Sequence, residues 1–489
     1  MLCGRGQFLG ALSFIALVGL VGCSSSTPGT NSVVSRPFRG QEVELAVPKS
    51  LNLPAKWEVL IQEWSSQSGA TARFVEYDAT ATISGKTLAE TSPHSTTLLF
   101  PLKQLCEIDS FLAPLTAVGS EFDGRDLFKG LRERVLWRER QVIANPISVP
   151  VLVCYYRNDL LKAARRKAPE TWDEYHELVT SLESWAPGLV AVEPLGPESR
   201  ATTFFARSLA FCKHPENYSV WFDVDTAKPT LNTPGFAKAL DTAQQTWSKL
   251  PPEVATFSPA DCRRLMLTGK AAIALSFEPS EGDLSGTSPT DPSKAVQRID
   301  GIELGICRIP GSRAVYNRNS KKWDTMPAKG VHAPALCGFA GLASGVILPP
   351  NHKGEVAGIN LIVNLSSPET FDQAFATLPK SPSRESQLPQ APTWYGPELS
   401  TEEGSRYCDA VAQSLRDTQL VFELPLTGAD EFRQAASAAL EPLLQGTANA
   451  EQTMNTLQSS FETIVEKRGW EAVRDSHRRG LGLSPALKK

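Results

Sequence analysis

The chain has 489 residues, of which 41% are hydrophobic and 21% charged, and its formal net charge is −4. That size fits a folded protein of two or three domains, and the charge balance excludes the basic footprint of a nucleic-acid binder. Nine cysteines are present and none stands in a C-x-x-C spacing, which disfavours a zinc ribbon or a thioredoxin-type motif.

The first element is apolar. Arg5 precedes the run Phe8 to Gly22. At about fifteen residues this run is too short for a comfortable membrane span and suits the h-region of a signal peptide. It ends in Leu20-Val21-Gly22-Cys23, a branched residue, two small-to-medium residues and a cysteine. That pattern resembles the lipobox of bacterial lipoproteins. The expected reading is a signal peptide over 1–22, acylation at Cys23, and a flexible tether over 23–40 that begins with the polar stretch SSSTPGTNS. It implies a cell-envelope location, with the chain lipid-anchored on a periplasmic or extracellular face. Setting Cys3 and Cys23 aside leaves seven cysteines. An odd number argues against a complete disulfide framework and leaves room for one bridge. Most of the seven sit in apolar runs, as small buried hydrophobes do.

Gln41 to Val47 alternates as a first strand. A helix follows Pro54 with Trp57, Leu60, Ile61 and Trp64 on one face, and Gly69 closes it. Ala72 to Tyr77 and Ser95 to Phe100 read as the next strands, giving a doubly wound α/β order. Ile147 to Tyr156 is an apolar run short enough for a buried strand. After Pro169, Thr171 and Glu174 form a capping box, with Trp172, Tyr175, Leu178, Val179 and Leu182 at helical spacing behind it. Pro234 opens a helix with Phe236, Leu240, Ala243 and Trp247 on one stripe. Gly269 to Phe277 reads as a strand, and Glu281 to Ser293 as a surface loop. The last third is helical. Asn449 caps a helix bearing Met454, Leu457, Phe461, Ile464 and Val465.

Several of these parts in order resemble family 1 extracellular solute-binding proteins, the sugar-type binding proteins of ABC importers. They are the apolar strand with Tyr156 and Asp159-Leu160-Leu161, the proline and Thr171-Trp172-Asp173-Glu174, the strand Gly269-Lys270-Ala271-Ala272-Ile273, the segment Gly305 to Gly311, and the strand Gly338 to Pro349. The resemblance runs over roughly 41–468. It implies an α/β, periplasmic-binding-protein-like fold of type II: two discontinuous α/β lobes around a ligand cleft, with a helical C-terminal part. The expected division is 41–149 plus 302–349 for the first lobe, 150–301 plus 350–470 for the second, and 471–489 as a C-terminal tail.

No catalytic constellation stands against this. There is no H-E-x-x-H, no G-x-S-x-G elbow and no G-x-x-x-x-G-K-[ST] loop. The expectation is a non-enzyme with no catalytic residue, cofactor or metal. The expected partners are a small-molecule ligand of carbohydrate class, the transmembrane permease subunits of an ABC importer, and the membrane through the N-terminal lipid, with no nucleic acid. A ligand-sensing lipoprotein that feeds a membrane receptor and an extracellular hydrolase stay open as alternatives. Carried over by position, the resemblance implies ligand-binding residues at Pro101, Gln104, Asn145, Ser148, Ser199, Arg200, Phe204, Phe277, Glu278, Phe339, Trp394 and Tyr395. Flat rings suit sugar C–H faces and polar groups suit hydroxyls. Pro150 departs from the family, which often has a polar ligand-binding residue on the crossover strand. Adjacent Tyr155 and Tyr156 point to opposite faces of a strand, one into the core and one at its boundary.

Overall fold

The computed structural model describes residues 36–51, 56–79, 95–115, 122–278, 296, 298–328, 330–347, 355–376, 378, 380–396, 398–484 and 486. The expected signal segment 1–22, the acyl site Cys23, the tether up to 35 and the loop 281–293 lie outside the described residues.

Two sheets organise the chain. The first has the order Thr71–Tyr77, Glu42–Pro48, Ser95–Pro101, Leu342–Ile347, Asn145–Ser148. Its first three strands are parallel and its last two pair antiparallel. Alternation along the strands gives it two apolar faces. Val43, Leu45, Val47 and Leu99 point into one cluster, while Ala46, Leu98 and Phe100 point into the other. The helix Lys56–Ser68 covers the first of these faces with Trp57, Leu60, Ile61 and Trp64, all buried, and stops at Gly69, whose φ is +79°.

The second sheet has the order Leu304–Arg308, Val153–Arg157, Ala271–Ser276, Val190–Val192. Its layers of cover are the helices Trp172–Thr180, Arg200–Cys212, Pro234–Trp247, Pro259–Leu267, Thr401–Arg416, Ala429–Leu444 and Ala450–Arg468. Local sequence starts several of them. Thr171 and Glu174 form the expected capping box, and so do Ser258 with Asp261, Ser400 with Glu403, and Asn449 with Gln452. Each box satisfies amides that the first helical turn leaves without partners.

Four expectations change. The single strand expected over 147–156 is two strands, Asn145–Ser148 in the first sheet and Val153–Arg157 in the second. Pro150 lies between them and has no amide to give a ladder, so the pairing breaks where the chain crosses. Leu304–Arg308, expected in the first lobe, pairs antiparallel with Val153–Arg157 in the second sheet. Gly305 fits that rung because a Cβ there would lie 2.0 Å from the Tyr156 ring. Residues 355–374, expected in the second lobe, form two helices on the first sheet. Leu361, Leu365 and Phe371 share a cluster with Leu45 and Leu99, and Trp64 Nε1 donates to Asn360 Oδ1 at 2.8 Å. The expected tail is a helix, Trp470–Gly480, with Val473 and His477 buried. Arg479 holds it to the body by donating to Asp109 at 2.8 Å, and Asp109 also accepts from Arg138 at 3.1 Å.

Among the described residues the chain passes between the sheets three times: at 149–152, between Arg308 and Leu342, and between Ala374 and Thr401. The second passage carries a small antiparallel hairpin, Ala314–Asn317 with Lys322–Thr325. It also carries the strand Leu336–Cys337, which pairs with Val421–Phe422.

Candidate functional site

The strand Ala271–Ser276 is buried along its whole length and ends at Phe277, which is half-buried. Phe277 meets Phe339 with ring centroids 5.5 Å apart and planes at 56°. Phe339 is also half-buried and lies on the passage leading into Leu342–Ile347 of the first sheet. One ring therefore comes from the second sheet and the other from the segment that enters the first.

Three further predicted residues join this neighbourhood. The amide of Leu102, next to Pro101, donates to Gly341 O at 2.9 Å. Gly341 has φ +104°, and a Cβ there would lie 2.3 Å from the carbonyl oxygen of Ser148. Only glycine takes that backbone and that approach together. Gln104 donates to Ala79 O at 2.9 Å, while its Oε1 is buried with no partner among the described residues. An acceptor in that state has a strong demand for a donor.

Glu278, one residue past Phe277, is held inside the protein. Both carboxylate oxygens accept from Arg263 Nε at 2.6 Å, and Tyr155 donates to it at 2.9 Å. Tyr407 closes the frame, accepting from the Glu278 amide at 3.1 Å and donating to its carbonyl at 2.8 Å. Burial raises the Glu278 carboxyl above its ordinary value, against the pull of Arg263. Tyr395 packs edge-on against Tyr407, centroids 5.1 Å apart, and donates to Lys380 O. Tyr155 is thus the core ring and Tyr156 the boundary ring, as the strand geometry requires.

Asn145 is fully buried at the crossing. Its Oδ1 accepts from Arg384 at 2.7 Å and its Nδ2 donates to Ser366 at 2.7 Å. Trp394 stands apart from the Phe277–Phe339 pair. Its ring lies 5.7 Å from Phe371 of the first-lobe cluster and 5.0 Å from Lys380 Nζ, and its Nε1 has no partner among the described residues. Ser199, Arg200 and Phe204 also lie apart, at and in the first turns of a helix buried along its whole length. Arg200 donates to Leu195 O and Ser437 O, and Phe204 packs against Phe205 at 6.3 Å.

The sequence reading missed Arg263, Tyr407, Ser381 and Arg384. They are polar residues without a motif, and they matter only because the fold buries them. Ser381 donates to Val149 O on the first passage at 3.3 Å, tying the frame to the crossing.

Solved structures match this architecture. The sugar-binding protein MalE from Xanthomonas citri superposes with a TM-score of 0.60 at 18% identity, over 88% of this chain and 98% of that one. Maltose-bound MalE3 of T. maritima gives 0.57 at 16% identity, over 86% and 100%. An ABC transporter solute-binding protein from Agrobacterium radiobacter K84, in complex with ribitol, gives 0.56 at 17% identity, over 88% and 100%. The chain has the fold of the type II periplasmic binding proteins. No family model matches it, and no curated protein matches it. Within this two-lobed fold, Phe277 and Phe339 face each other where the second sheet meets the passage into the first, and the buried frame of Glu278, Arg263, Tyr155 and Tyr407 sits directly behind them.

Proposed function

We propose that the protein is the substrate-binding component of an ABC importer. It captures a small solute of carbohydrate class between its lobes, closes on it by hinge motion, and delivers it to a membrane permease. One observation carries this reading: two α/β lobes share three passages, and a pair of half-buried aromatic rings stands where those lobes meet. Aromatic faces of that kind stack on sugar C–H surfaces. Gln104 Oε1, which has no partner among the described residues, supports it as an acceptor for a ligand hydroxyl. The fold neighbours carry maltose and ribitol, which are polyhydroxylated solutes of the same class. The N-terminal Leu20-Val21-Gly22-Cys23 supports anchoring by acylation at Cys23.

A thermal-shift panel of maltodextrins, monosaccharides, polyols and short peptides tests the ligand class. A sugar or polyol present at about a hundred times its Kd should add roughly 2.7 kcal/mol of stability and raise the melting temperature. A panel in which only peptides shift the melt would overturn the carbohydrate assignment. Anchoring is tested separately by Cys23→Ser, which should release the protein from membranes or leave its signal segment uncleaved. Unchanged fractionation with unchanged mature mass would rule the anchor out.

A further inference from the structure

Seven cysteines lie in the described body, and two of them face each other. Cys154 and Cys307 are register partners on the antiparallel strands Val153–Arg157 and Leu304–Arg308. Directly opposed residues of an antiparallel pair point to the same face, with Cα atoms about 4.5 to 5.5 Å apart. That spacing falls inside the roughly 4.4–6.8 Å range over which disulfides span Cα atoms. The neighbouring rung fixes the geometry further. Tyr156 lies over Gly305 because no Cβ stands in its way, which holds the register that sets Cys307 opposite Cys154. Both are thiols in the structure, and the Cys154 thiol donates to the Tyr155 carbonyl at 3.9 Å. Among the described residues no other ladder rung pairs two cysteines.

We propose that Cys154 and Cys307 close into a cross-strand disulfide when the protein meets a disulfide donor. Cys307 is half-buried and Cys154 fully buried, so the order of events follows from access. The Cys307 thiolate attacks a sulfur of the donor disulfide, one donor thiol leaves, and a mixed disulfide forms on Cys307. Cys154 then loses its proton and attacks the Cys307 sulfur, expelling the second donor thiol. Two protein thiols are oxidised and one donor disulfide is reduced to two thiols. The bridge staples an edge strand of the second sheet to its neighbour at the root of the passage that returns to the first sheet. It also encloses about 150 residues of chain, a length at which a cross-link restricts the unfolded state strongly. The inference rests on the envelope reading only for where a donor is met in the cell.

The test uses the full mature chain. Reduced protein is incubated with glutathione disulfide, free thiols are blocked with N-ethylmaleimide, and the digest is mapped by mass spectrometry after denaturation. The expected result is a linked peptide pair joining Cys154 to Cys307, an intact mass lower by a pair of hydrogens, and a melting temperature several degrees above that of the reduced protein. Cys307→Ser should leave Cys154 as a thiol and abolish the shift. Recovery of both cysteines as maleimide adducts, or a glutathione adduct on Cys307 that Cys154 never resolves, would overturn the proposal. A bridge formed in the purified protein but absent from protein taken from the cell envelope supports the pairing and counts against an oxidising location.

Discussion

Replacing Phe277 by alanine separates the binding role of the ring pair from a packing role. A fully buried phenylalanine costs about 3–5 kcal/mol when truncated. Phe277 is half-buried and keeps one aromatic partner, Phe339, at 5.5 Å. Such a pair contributes roughly 0.5–1.5 kcal/mol beyond the area it buries. The stability loss should therefore be near 2 kcal/mol, well below the core value. If the ring also stacks on the ligand, affinity should fall by about 1–3 kcal/mol, which is about five- to more than a hundredfold in Kd. Chemical denaturation and isothermal titration on the same variant read the two effects separately. Because the rings touch, Phe277→Ala and Phe339→Ala should combine less than additively in both measurements. A loss of 4 kcal/mol or more in stability, with ligand affinity preserved in the folded fraction, would assign Phe277 to the core and remove it from the site.

Glu278→Gln should destabilise the protein by roughly 3 kcal/mol, at the lower end for a broken buried ion pair. Arg263 limits the damage by keeping its contact with Glu398 at 2.5 Å. The double variant Arg263→Met with Glu278→Leu should cost less than the sum of the single changes, and additive losses in a denaturation series would refute the coupling. His477 gives a pH dependence. Burial pushes its imidazole down from 6.5 to about 4, with the Pro425 carbonyl opposing. The folded state then binds fewer protons than the unfolded state, so this stability is complete above pH 6.5 and declines between 6.5 and 4. The total loss is about 3 kcal/mol, and it saturates below the folded value. His477→Gln should flatten that part of the stability–pH curve, and an unchanged slope would show that other groups carry it.

The sequence reading succeeds where a local rule decides the outcome. Thr171 with Glu174, and Asn449 with Gln452, start helices through bonds made within four residues. The stripe Phe236, Leu240, Ala243, Trp247 is buried because helical spacing leaves it on one face. It fails where the outcome depends on a partner distant in the chain. Leu304–Arg308 is apolar enough for either sheet, and its choice is settled by Tyr156 seeking the space above Gly305. The helices of 355–374 look the same on either lobe, and the bonds from Trp57 and Trp64 decide which. In the site, Phe277 and Phe339 are legible as apolar residues at a strand end and near a glycine turn. Glu278 reads as a ligand-facing carboxylate until Arg263 and Tyr407 are seen to enclose it. Arg200 and Phe204 are expected at the ligand by position, and the fold buries their helix completely.

The central claim is capture of a small solute by closure of two lobes about shared passages. Small-angle scattering of the purified chain, with and without a saturating sugar or polyol selected by the thermal-shift panel, tests it most directly. Hinge closure predicts a smaller radius of gyration and a shorter maximum dimension in the ligand-bound state. A ligand shown by titration to saturate the protein while its scattering profile stays unchanged would contradict the account.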